Sequence, residues 1–126
     1  MLVNLSKTAI ETAINAAIER HVPCAFRSIK VKWTRDSCGC HIATLRADFD
    51  NLPISVVVEE YDENEWTVYL DGTLPALSFS NNGLAPRLET ADEVNDMISL
   101  LRRGRDLLAS VQSEIERAAE IARAAR

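Results

Sequence analysis

The spacing of apolar positions changes period three times along the chain. Between residues 6 and 21, Ile10, Ala13, Ile14, Ala17 and Ile18 recur every three to four positions, which predicts an amphipathic helix. Ser6 is placed to cap it, and Leu5 and Ile10 have the spacing of a hydrophobic staple. Pro23 ends it near His21, because proline disfavours helical geometry in the residue before it and has no N–H to donate.

From about residue 26 the period drops to two. Ile29, Val31 and Trp33 alternate with Ser28, Lys30, Lys32 and Thr34. Ala43, Leu45, Ala47 and Phe49 alternate with Ile42, Thr44, Arg46 and Asp48, and Trp66, Val68 and Leu70 with Thr67 and Tyr69. Each run predicts a strand with one dry and one wet face. The stretch ISVVVEEY (54–61) has valines on both faces, as an interior strand has. The links are short. Asp36-Ser37-Cys38-Gly39 and Asp62-Glu63-Asn64-Glu65 suit turns ending in a left-handed residue, and Asp71-Gly72 suits a two-residue turn. A fifth strand within 73–80 is confined to an edge by Pro75.

Beyond residue 90 the period becomes that of a heptad. Thr90 and Glu93 form a capping-box pattern, and the seam reads Val94, Met97, Leu101, Gly104, Leu108, Val111, Ile115, Ala118, Ala122 and Ala125. A helix of about 36 residues is about 54 Å long, whereas strands of six to ten residues span about 20–33 Å. It therefore overhangs its sheet. The expectation is that the first half, with Val94, Met97, Ile98, Leu101, Leu107 and Leu108, covers the dry face beside the first helix. The alanine-rich remainder, about 109–126, then stays available for association, with Leu101, Leu108, Val111, Ile115, Ala118 and Ala122 as an oligomer seam.

Together these elements predict one α+β domain over residues 1–126. It has two layers: an N-terminal helix, an antiparallel meander of four or five strands, and a long C-terminal helix, with both helices on one sheet face. A chain of 126 residues can bury a core of its own. No apolar run approaches the length of a membrane span and the first residues lack signal-peptide order, so the expected home is the cytoplasm, away from membranes. Three cysteines make no closed disulfide framework, and cytosolic thiols stay reduced. The arginine-rich, alanine-rich composition suits a bacterial or phage genome.

The net charge of −5 is unevenly spread. Residues 1–35 hold six basic and two acidic side chains, residues 36–96 two and thirteen, and residues 97–126 six and four. A chain this acidic repels phosphate overall, which sets nucleic-acid binding behind protein binding.

Every cysteine and histidine falls in HVPCAFRSIKVKWTRDSCGCH (21–41), a composition that invites a zinc reading. The intervening strand defeats it. Fourteen extended steps from Cys24 to Cys38 span up to about 45 Å, far beyond the reach of ligands to one ion. Cys40 and His41, being adjacent on a strand, point to opposite faces. His21 reads as a favourable charge at a helix C-terminus, Cys24 as a small semi-apolar residue, and Cys38 with Cys40 as an exposed thiol pair. No phosphate loop, nucleophile elbow or His-Glu-x-x-His occurs, so no catalytic, cofactor or metal residue is expected.

Two surfaces remain as candidates for a partner. One is the acidic hairpin of Glu59, Glu60, Asp62, Glu63 and Glu65. The other is the wet sheet face, where Lys30, Lys32 and Arg46 accompany Tyr61 and Tyr69. The leading reading is a non-catalytic protein-binding module, an adaptor or inhibitor, homodimeric through its last helix, whose partner the sequence does not identify. The first alternative is a small phage or mobile-element inhibitor whose acidic hairpin mimics nucleic acid; the second is a nucleic-acid binder using the open sheet face. Acidic secretion chaperones also join a sheet to long helices and dimerise. Their pattern places a helix between the third and fourth strands, where Asp62-Glu63-Asn64 leaves no room, so that reading comes last.

Overall fold

A computed structural model describes residues 3–21, 28–49, 52–74, 77–80 and 91–125. In chain order the elements are β1 (Val3–Asn4), α1 (Lys7–His21), β2 (Ser28–Arg35), β3 (His41–Phe49), β4 (Leu52–Asp62), β5 (Glu65–Leu74), β6 (Leu77–Ser80) and α2 (Ala91–Ala124). The expected α+β architecture is present: an N-terminal helix, an antiparallel sheet and a long C-terminal helix.

α1 starts as its sequence dictates. Ser6 Oγ accepts the Ala9 N–H at 3.3 Å, and Leu5 and Ile10 are both buried, the positions a staple brings together. β2 to β6 form a meander in which each strand pairs antiparallel with the next. β6 takes the outer side of β5 near Asp71–Leu74, while β1 takes the same side near Glu65 and Trp66. This two-residue strand has no period to reveal it. It is held by the Leu5 N–H on the Asn64 carbonyl (2.8 Å) and by the Trp66 Nε1–H on the Leu5 carbonyl (2.9 Å).

Two turns form where expected. At β2–β3, Asp36 Oδ1 accepts the N–H groups of Cys38 and Cys40, both at 2.9 Å, and Gly39 has φ +83°. At β4–β5, Asn64 has φ +61°. The Asp71-Gly72 turn does not form. β4 is eleven residues long, so it offers partners to both residues: Asp71 pairs with Ser55 and Gly72 with Ile54, and β5 continues to Leu74. β5 then pairs antiparallel with β6, Leu74 opposite Leu77; residues 75–76 lie outside the described residues, as do Cys24, Pro23 and the capping-box Thr90.

The core lies between sheet and helices. Ala43, Leu45, Val56, Val58, Trp66, Val68 and Leu70 form its floor, Ile10, Ala13, Ile14 and Ala17 of α1 one side of its roof, and Leu107, Leu108, Val111 and Ile115 of α2 the other. The overhang of α2 is thus opposite to the sequence expectation. The later half is packed, with Ala118, Ala119 and Ala122 against the core, whereas Val94, Ile98 and Leu101 of the leading half are exposed. Leu107, Val111 and Ile115 share the core with Ile10 and Ile14 of α1, and these large buried side chains set which part of α2 is covered.

Candidate functional site

Three surfaces present chemistry to solvent. The first is the α2 seam. Val94, Leu101, Leu108, Ile115 and Ala122 are separated by seven residues each, so they mark one line along the helix. Leu108 and Ile115 are buried in the chain's own core, as is Val111, and Ala118 and Ala122 pack beside it. Of the six predicted seam residues only Leu101 lies open, at 38% exposure, with Val94 at 39% and Ile98 at 42% on the leading turns. The region about 109–126 is therefore not an overhang. Its one large exposed apolar side chain is Ile121, at the rim of a groove of about 440 Å³ between α1 and α2 that Ala9, Ala16, Ala118 and Ala125 also line.

The second surface is the open sheet face. Register places Lys30, Arg46, Ser55 and Asp71 in one cross-strand row, and Lys32, Thr44, Val57 and Tyr69 in the next. Lys30, Lys32 and Arg46 are exposed; Val57 is buried between Thr44 and Tyr69 in its row. The face is thus electrically graded, basic along β2 and β3 and acidic along β4 and β5, where Glu59 and Asp71 sit. Burial pushes the Tyr69 phenol up to about 12, and the charges of Glu59 and Asp71 and a hydrogen bond to Glu59 act in the same direction. Tyr61 stands apart at 73% exposure, at the point where the β4–β5 register shifts between Glu60 and Asp62.

The third is the acidic hairpin, whose carboxylates divide by role. Glu60 accepts the N–H groups of His41 and Asn64, each at 3.2 Å, and Asp62 accepts the Glu63 N–H at 2.8 Å. These two hold the turn. Glu59 belongs to the open face with Tyr69, leaving Glu63 and Glu65 as outward charges near the tip.

Cys38 and Cys40 are free thiols at the β2–β3 turn, Cys38 exposed and Cys40 partly covered. Partial burial first, then the carboxylates of Asp36 and Glu60, raise the Cys40 thiol above its ordinary value, which lowers its thiolate fraction. Among the described residues no group of three or more His, Cys, Asp or Glu side chains is arranged to hold a metal. His21 ends α1, and His41 stacks edge-on against Trp33 with ring centroids 6.3 Å apart.

Some contacts gave no signal in the sequence. Lys7 Nζ lies 4.8 Å above the Trp33 ring, and Arg20 reaches Glu114 across the helices at 2.8 Å. Both join side chains from elements whose relative placement no local pattern encodes. Among the described residues no helix is long and apolar enough to cross a membrane. Compared with protein families, with curated proteins and with solved structures, the chain gives no match.

Proposed function

We propose that this chain is a non-catalytic protein-binding module, acting as an adaptor or inhibitor, that pairs with a second copy through the leading third of α2. One observation carries the reading: the heptad seam is dry at Leu108 and Ile115 and open at Leu101 and Val94. A seam that leaves its own core while keeping its apolar spacing is suited to another helix of the same kind. Charge selects the orientation. Asp92 precedes the open stretch and Arg102 and Arg105 follow it, all three exposed, so antiparallel copies set acid beside base and parallel copies set like beside like. Free thiols at Cys38 and Cys40 favour a reducing compartment, which supports the cytoplasm.

Light scattering across a concentration series tests the pairing. The wild-type chain is expected to approach twice its monomer mass. Ile98→Asp is expected to remain monomeric with an unchanged circular-dichroism spectrum, because Ile98 is not part of the core. A wild-type chain that stays monomeric throughout overturns the pairing.

A further inference from the structure

We propose that β2 accepts, as an added strand, an extended segment of another protein whose side chains alternate between acidic and apolar. β2 ends the sheet order, and among the described residues no strand lies on its outer side. Every second residue of this eight-residue strand therefore turns its N–H and C=O outward, away from β3. The apolar floor continues to this edge under a thinner cover, which over Trp33 includes Lys7 of α1. Leu45, Ala43, Val56 and Val58 on the inner strands are fully buried, whereas Ile29, Val31 and Trp33 of β2 are only partly so. A strand laid beside β2 would extend that floor and cover it.

The wet side of the same edge fixes the partner's charge. Lys30 and Lys32 alternate with the apolar residues and are exposed, with Arg46 exposed on the neighbouring strand opposite Lys30. Opposite charges directly across a strand pair stabilise it and like charges oppose it. A second copy of β2 is disfavoured on this ground, since in the longest antiparallel overlaps its lysines would fall beside these. Nucleic acid is disfavoured because Glu59 and Asp71 share the open face. This inference uses a surface separate from α2 and holds for a monomer or a dimer.

The test uses the full chain and synthetic peptides of strand length. One alternates valine with glutamate, a second alternates valine with lysine, and single-stranded oligothymidine serves as the nucleic-acid arm. The Val/Glu peptide is expected to bind about tenfold more tightly than the Val/Lys peptide, a ratio that two cross-strand charge pairs can supply. Its binding is expected to slow hydrogen exchange at the amides of residues 28–35. The double variant K30E/K32E, changed only at exposed positions, is expected to reverse the preference. Four results overturn the proposal: no binding of the Val/Glu peptide, protection elsewhere than β2, binding of the oligonucleotide with neither peptide, or a preference that survives K30E/K32E. Light scattering on the same samples reports the α2 pairing separately, so either proposal can fail alone.

Discussion

Arg20 and Glu114 tie the end of α1 to the packed half of α2, with a guanidinium nitrogen 2.8 Å from Oε1. The two sides of the pair differ in environment: the Glu114 side chain is 8% exposed and that of Arg20 is 55% exposed. Losing the arginine strands a carboxylate that has little water, whereas neutralising the carboxylate leaves an arginine that solvent can reach. Arg20→Met is therefore expected to lower unfolding free energy by about 1–2 kcal/mol and Glu114→Gln by less than about 1 kcal/mol. Urea unfolding of both variants gives the order, and the reverse order would contradict it.

Trp66 is fully buried and its indole N–H is the donor that holds Leu5. Trp66→Phe removes ring volume and leaves the Leu5 carbonyl without that partner, for an expected loss of about 2–3 kcal/mol. Because β1 pairs at this residue, proteolysis near residue 5 is expected to accelerate more than the global loss accounts for. Cleavage that merely follows global unfolding would refute the local link.

The two hairpin turns separate conformational strain from steric crowding. An added Cβ at Gly39 meets nothing within 4 Å, so Gly39→Ala is strained only by its φ of +83°, at about 1 kcal/mol. Asn64→Gly, at φ +61°, is expected within a few tenths of a kcal/mol of wild type, while Asn64→Val is expected to lose more than Gly39→Ala. Thermal unfolding in parallel ranks the three.

Alkaline pH probes the open face. Unfolded, the tyrosine phenol ionises near pH 10; in the folded chain Tyr69 is held up to about 12 by burial and by Glu59 and Asp71. Below pH 10 both states keep the proton and the folded state has its full stability. As pH rises from about 10 to 12 the unfolded chain ionises first, so stability falls across that window and the loss is complete above it. Tyr69 is only partly covered, which keeps the effect modest. Tyrosinate absorbance of the Tyr61→Phe protein should report the raised transition, and adding Glu59→Gln should lower it. A transition that does not respond to Glu59 would remove that residue from the explanation.

Element types were legible because each period has a single physical cause: side chains alternate across a strand and return every 3.6 residues on a helix. Turn residues were legible wherever the backbone needs a positive φ, at Gly39 and Asn64. Asp71-Gly72 misled because turn chemistry says that a reversal is tolerated, while the length of β4 decides whether one occurs. The seam misled for a related reason. Heptad spacing from Val94 to Ala122 marks a dry line on the helix and carries no information on which part of that line lies over the sheet. That is settled by the long-range packing of Leu107, Val111 and Ile115 against the sheet and α1 residues of the core. On the open face, the alternation placed Lys30, Lys32 and Arg46 together correctly, but the lateral charge gradient needed the register between strands.

The contact between Leu5 and Trp66 also bears on kinetics. It joins positions 61 apart, closing a ring that contains α1, β2, β3 and β4. Closing such a ring in a flexible chain opposes folding by about 3–4 kcal/mol of entropy, and contacts of this separation form late. Until it closes, the outer side of β5 is an unsealed edge able to pair with a neighbouring molecule, so refolding yield should fall with protein concentration faster in Trp66→Phe than in wild type.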